Sequence, residues 1–135
     1  DVLEMLHCRG ANVNATANSG ETGLHIAVKN SSIDSVEYLL CIPWIDINYP
    51  DKLGQTPLII AAFKGRVKCV ELLLSSNCDI TAQDSQGQSA LHRALEPYDN
   101  TLGKNNAYLC VQLLTNANCD INLCDNIGYT PLHIA

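Results

Sequence analysis

The chain has 135 residues, of which 47% are hydrophobic and only 5% aromatic, and it carries a formal net charge of −6. A core of this composition is built from aliphatic side chains and cysteine, which suits thin stacked helices better than a large enzyme core. The negative charge argues against a nucleic-acid surface or an anionic membrane surface, because both require clustered Lys and Arg. No apolar run approaches the roughly 18 residues of a membrane helix, so we predict no direct membrane insertion.

One hexapeptide recurs four times, as TGLHIA, TPLIIA, SALHRA and TPLHIA. Each copy follows a glycine by two residues, and these glycines, Gly20, Gly54, Gly87 and Gly128, lie 34, 33 and 41 residues apart. A period of this size indicates stacked units, none of which can bury its apolar face alone. We therefore define a first, partial unit (1–16), three further units (17–50, 51–83 and 84–124) and a fifth, partial unit (125–135).

The third unit shows the predicted elements most clearly. A turn with Gly54 precedes Thr56, a favourable N-cap residue, and Pro57, which suits the first position of a helix. This short helix should end near Gly65, and the apolar spacing over 67–74 predicts a second helix. Helices of this length are marginal in isolation, so stacking must stabilise them.

The other units depart from this pattern in a few places. Gly23 and Ala90 replace the proline and should weaken two helix starts only slightly. Trp44 lies in a one-residue insertion, where it should either plug the loop between units or contact a partner. The fourth unit carries eight extra residues within 97–106, which are rich in turn residues and predict an exposed loop. This loop is either a contact site or a tolerated surface insertion.

The period, the TPLH-type strings and the turn residues Asp51, Asp84 and Asp125 resemble those of ankyrin repeats. The resemblance covers essentially the whole chain. It implies an all-α ankyrin-repeat solenoid, in which helix-turn-helix units are joined by β-hairpin-like loops, with truncated units at both ends. Because both end units are partial and apolar, we expect further ankyrin repeats to flank this chain.

Several of the seven cysteines recur in phase with the repeat. Cys69 and Cys110 precede equivalent valines, and Cys78 and Cys119 share the string Asn-Cys-Asp-Ile. Cysteines repeated in this way act as small core hydrophobes. We predict buried, reduced thiols and an intracellular location, in the cytoplasm or the nucleus. The absence of any CxxC pair argues against a zinc site, so we predict no metal.

Three histidines, His25, His92 and His133, occupy one position of the repeat, which holds Ile59 in the third unit. A catalytic histidine would seldom be multiplied and then replaced by isoleucine. In ankyrin repeats this histidine is a structural hydrogen-bonding residue. No nucleophile, nucleotide or metalloprotease motif is present, so we predict that the chain is not an enzyme and needs no cofactor.

The resemblance implies a concave recognition face made of the turn tips and the exposed edge of the first helices. We expect Phe63 to contribute most, because its position has no packing role in the repeat. Leu53 and Ile127 should either join it or pack on neighbouring turns. The predicted partner-binding residues are Lys29, Lys52, Leu53, Gln55, Phe63, Lys64, Ser85, Gln86, Gln88, Asn126, Ile127 and Tyr129.

The predicted function is protein–protein interaction, and the net charge favours partners with basic patches. One alternative is a substrate-recognition or inhibitory module of a larger regulatory protein, such as a ubiquitin-ligase adaptor or a transcription-factor inhibitor. Another is a membrane or cytoskeletal scaffolding array. The resemblance also implies that Asn14, Asn48 and Asn122 are candidate substrates of an oxygen-dependent asparaginyl hydroxylase. The identity of the partner is not encoded in any motif.

Overall fold

The computed structural model describes residues 14–96 and 103–134, except for the side chains of residues 103–105. Short helices alternate with turns throughout these ranges. The helices are α1 (Gly23–Lys29), α2 (Ile33–Leu40), α3 (Pro57–Phe63), α4 (Val67–Ser75), α5 (Ala90–Leu95), α6 (Gly103–Asn116) and α7 (Pro131–Ile134).

The helices form two parallel rows. The first helices of the units, α1, α3, α5 and α7, pack side by side, and the second helices, α2, α4 and α6, pack in a row behind them. Small residues let the first helices approach closely, since Ala61 and Ala94 are buried between them. Leu73 and Leu114 anchor the second row and are fully buried. This arrangement confirms the prediction of an all-α stack.

The units that begin at residues 51, 84 and 125 each start with a hairpin-like turn held by an aspartate. In the third unit, the N–H of Asp51 donates to the carbonyl oxygen of Gln55 at 3.0 Å. The Asp51 carboxylate then accepts the N–H groups of Leu53 and Gln55, both at 2.9 Å. Asp84 and Asp125 repeat this pattern. In the part of the chain that the structure describes, the only β-type pairing is a bridge between Thr16 and Thr22, with no named strand.

The predicted loop over 97–106 is wrong for its last four residues, which form the start of α6. Packing on the preceding unit accounts for this extra helical turn. Gly65 has a φ of +65°, and a Cβ built on it would lie 3.3 Å from the Cβ of Asn106. Residues 97–102 lie outside the described ranges, as do residues 1–13 of the first unit.

The expectation that Trp44 plugs the inter-unit loop is also wrong, since its side chain is 59% exposed. Ile42, two residues earlier in the chain, is buried. The additional residue of this unit lengthens the loop after α2, which leaves the indole at the surface.

Gly23, at the first position of α1, is expected to tolerate proline with a gain in stability. Thr22 before it has φ −83° and ψ 171°, nearly the same as Thr56 before Pro57, with φ −83° and ψ 164°. A Cβ added at Gly23 would meet no atom within 4 Å. Gly23→Pro should raise the free energy of unfolding by about 0.4–1 kcal/mol, because it restricts the unfolded chain. Urea denaturation measures the change, Gly23→Ala serves as the control, and a loss of stability in the proline variant would contradict the expectation.

Candidate recognition face

The turn tips of successive units form one continuous row, joined through their backbones. The N–H of Lys52 donates to the oxygen of Ser19 at 3.2 Å, and the N–H of Ser85 donates to the oxygen of Leu53 at 2.9 Å. The N–H of Asn126 continues this pattern to the oxygen of Gln86 at 3.0 Å. We call these three turns, residues 52–55, 85–88 and 126–129, the tip row. It holds predicted residues from three units in a single line.

The tip row exposes apolar side chains. Leu53 is 62% exposed, Ile127 76% and Tyr129 51%, which excludes full packing of Leu53 and Ile127 on neighbouring turns. The other predicted residues of the row are polar: Lys52, Ser85, Gln86 and Asn126 are exposed, whereas Gln55 and Gln88 are half-buried.

The inner edge of the first helices is more constrained than the sequence predicted. Phe63 is half-buried, and the guanidinium carbon of Arg93 lies 5.7 Å from the centre of its ring. The expectation that this position has no packing role is therefore wrong. Lys29 forms an ion pair with Glu21, and Lys64 is half-buried.

Arg93 organises a polar cluster that sequence reasoning missed. Its Nη2 lies 2.6 Å from Oδ2 of Asp84, whose side chain is 1% exposed, and its Nη1 lies 2.9 Å from Oε2 of Glu96. Nη2 also donates to Oε1 of Gln86 in the tip row at 3.0 Å. Burial is the largest single influence and lowers the pKa of Arg93, but the hydrogen bonds and charges of Asp84 and Glu96 together outweigh it, so the pKa lies above its ordinary value. The sequence did mark Arg93 as unusual, because the equivalent residues of the other units are isoleucines, Ile26, Ile60 and Ile134.

Two of the repeated histidines, His25 and His92, each join their unit to the next. Nδ1 of His25 accepts the N–H of Thr22 at 3.1 Å, so the other ring nitrogen carries the proton in the neutral form. That nitrogen, Nε2, lies 2.9 Å from the carbonyl oxygen of Gln55 in the following turn. His92 makes the same bridge to the oxygen of Tyr129 at 2.9 Å. This geometry matches a structural role for the histidines.

The burial of His25 should make stability depend on pH. Burial lowers the pKa of His25 below its ordinary value of 6.5, against weaker raising effects from its hydrogen bonds and Asp51. The unfolded chain therefore binds the proton first, and stability is full above about pH 6.5 and falls as the pH drops towards the folded-state pKa. Urea denaturation at about pH 7.5 and about pH 5.5 should show a smaller loss for His25→Ile than for the unchanged chain. Equal losses in the two proteins would exclude His25 as the source.

Comparison with known proteins agrees with this geometry. A sequence model described as ankyrin repeats (3 copies) matches residues 1–84 and, in a second placement, residues 41–102. The chain belongs to the ankyrin-repeat family. Ankyrin repeats generally mediate protein–protein interactions and typically serve as non-enzymatic modules, so the family implies protein partners.

Its relatives are diverse, and each is much longer than this ankyrin segment. SMC5-SMC6 complex localization factor protein 1 of Bos taurus is 38% identical over 95 residues, which are 69% of this chain and 9% of that protein. Alpha-latrotoxin-Lg1a of Latrodectus geometricus is 33% identical over 96 residues, covering 70% and 7% of the two chains. Rabankyrin-5 of Mus musculus is 32% identical over 91 residues, covering 67% and 8%. The chain thus spans less than a tenth of the length of these relatives.

The candidate hydroxylation sites lie in the loops that return from one ankyrin unit to the next. Oδ1 of Asn14 accepts the N–H of Asp46 at 2.9 Å, and Oδ1 of Asn48 accepts the N–H of Asp79 at 2.7 Å. Asn122 is exposed. Two of these asparagines therefore tie successive loops together. Their hydroxylation remains a prediction.

Of the described cysteines, those that recur in phase are the most covered. Cys69, Cys78 and Cys110 are buried, and burial raises the pKa of both Cys78 and Cys110 to about 11. Cys41 and Cys124 are exposed, so the expectation of burial does not extend to them. The described residues contain no group of three or more His, Cys, Asp or Glu placed to hold a metal ion. No helix in the described ranges is long and apolar enough to cross a membrane.

Proposed function

We propose that this ankyrin segment binds a partner protein through a concave face formed by the tip row and the inner edge of the first helices. The observation that carries the proposal is the exposure of Leu53, Ile127 and Tyr129 on a backbone-bonded row. Large apolar side chains cost free energy when they are left in water, and exposed apolar patches are typical of interaction sites.

The rigidity of the row favours binding. Aspartates hold three of its turns, histidines bridge two of the junctions between units, and its tips are joined through the backbone. A surface already held in one conformation loses little conformational entropy on association, so more of the contact free energy appears as affinity. The same geometry lets side chains from three units contact a single extended partner.

Affinity capture from lysate with matched variants tests the face. We expect the double variant Leu53→Glu/Ile127→Glu to lose specific partners, because it places two charges in the apolar part of the tip row. The control, Tyr108→Glu/Ile121→Glu, changes two side chains that are 64% and 57% exposed on α6 and on the loop that follows it. It should retain the partners.

Both double variants should first be shown to fold by circular dichroism. Loss of partners in the control alone, or retention of every partner in the tip-row variant, would contradict the proposal. Phe63→Glu is a poorer test, since the change would also disturb the Arg93 cluster.

We further propose that the segment has no catalytic role and works in an intracellular compartment with reduced thiols. Support comes from the coverage of the recurrent cysteines and from the use of His25 and His92 as bridges between units. Alkylation of the native chain at neutral pH should be slow at Cys78 and Cys110, since the thiolate is the reactive form. A cysteine that reacts far faster than an unfolded thiol would contradict the absence of catalysis.

A further inference from the structure

The net charge of −6 is distributed unevenly over the stack. On the proposed face, acidic side chains are turned inward or paired. Asp84 and Asp125 are buried and Asp51 is half-buried, and each of the three holds two N–H groups of its own turn. Glu21 is paired with Lys29 and Glu96 with Arg93, with exposed side-chain fractions of 14% and 25%. Among the described residues of this face, no acidic residue is exposed.

Outside this face, the acidic residues that the structure describes lie on the second helices and on the return loops. Most are exposed and Glu71 is half-exposed: Asp34, Glu37, Asp46, Glu71, Asp79 and Asp120. Lys68 is the exposed cation of the described part of these helices. Among the described residues, the exposed acidic side chains therefore lie on the back of the stack and not on its proposed recognition face.

The tip row presents one exposed cation beside its apolar side chains. Lys52 is exposed and adjacent in sequence to Leu53, and the polar residues that separate Leu53 from Ile127 in the row, Gln86 and Asn126, are uncharged. Leu53 and Ile127 lie two units apart, or about 16–20 Å at the usual spacing of packed helices. An extended chain covers this distance in about five or six residues.

From this pattern we infer that the partner supplies an extended acidic segment with two apolar residues about five or six positions apart. The apolar residues would contact Leu53 and Ile127, and a carboxylate would lie near Lys52. This inference rests on the proposed function. It reverses the expectation, based on net charge, that partners carry basic patches. A nucleic acid fits less well, because phosphate binding needs several clustered cations.

Selection from a displayed library of random peptides of about twelve residues, long enough to span two units, tests the inference. The full 135-residue chain is the bait. We expect the enriched peptides to be acidic and to share the apolar spacing. Lys52→Glu should weaken their binding at least about fivefold, since it reverses a charge at the rim of the site. The matched control Lys68→Glu makes the same change on α4 and should have little effect.

The outcomes separate this inference from the proposed function. Basic or neutral peptides that still require Leu53 and Ile127 would overturn the acidic segment and leave the face intact. Peptides that bind equally well to Leu53→Glu/Ile127→Glu would overturn the face itself. Failure to enrich any peptide would overturn the inference. Single-stranded DNA would also overturn it, if the DNA binds more tightly than every selected peptide and its binding depends on Lys52.

Discussion

Replacing Gly54 with alanine is expected to destabilise the stack by about 2–5 kcal/mol. Gly54 has a φ of +76°, and its added Cβ would lie 2.8 Å from the backbone nitrogen of Ser85 in the next turn. The left-handed conformation alone costs an alanine about 1–2 kcal/mol. The overlap adds a further cost, because the backbone nitrogen of Ser85 cannot move aside easily. Moving it would break the hydrogen bond between the N–H of Ser85 and the oxygen of Leu53.

Gly128 provides the matched control. It also has a positive φ, +96°, but a Cβ at this position would meet no atom within 4 Å. Gly128→Ala should therefore cost only the conformational part, about 1–2 kcal/mol. Urea denaturation followed by circular dichroism gives both values. If the two variants lose the same free energy of unfolding, contact between the tips adds nothing to the requirement for glycine.

Removing the Arg93 side chain is the second change expected to have a large effect. Arg93→Ile should cost about 3–5 kcal/mol, since it leaves the Asp84 carboxylate buried without its charged partner. Isoleucine is a suitable replacement because it occupies the equivalent position in α1, α3 and α7. Phe63 should also become more exposed, because the guanidinium group lies over its ring.

A second substitution separates the unpaired charge from lost packing. Adding Asp84→Asn to Arg93→Ile should recover most of the loss, because the amide oxygen can still accept the N–H groups of Gln86 and Gln88. Lys68→Ala removes an exposed ion pair and should cost less than about 1 kcal/mol. If the double variant is no more stable than Arg93→Ile, the buried carboxylate is not the cause.

The regular parts of the fold were predictable because each unit repeats the same local sequence pattern of turn, N-cap and helix residues. Thr56 accepts the N–H of Ile59 at 3.4 Å, Pro57 begins α3 as expected, and the predicted second helix corresponds to α4. Prediction failed where a contact between units overrides local preference. The residues Gly-Lys-Asn-Asn at the start of α6 are typical of a loop, yet Asn106 packs against Gly65 and the segment is helical.

The candidate face was predicted in outline but not in detail. The turn tips could be located from the glycine spacing, and Leu53 and Ile127 are exposed there. The coverage of Phe63 could not be foreseen, because Arg93 belongs to a different unit and reaches it only after stacking. Net charge does not locate the acidic groups, since composition does not record which carboxylates turn inward.

The sequence by itself determined the repeat, the helical units and the line of turn tips, because these depend on local conformational preferences and on a periodic apolar pattern. Only the tertiary structure decided which side chains of that line face solvent and which are paired. Burial depends on how the units stack, and the ion pairs of Glu21 with Lys29 and of Asp84 with Arg93 depend on how each turn folds back on its own helix. Local preferences and composition record neither, so only the structure shows that Asp84 is covered and that Lys52 is at the surface.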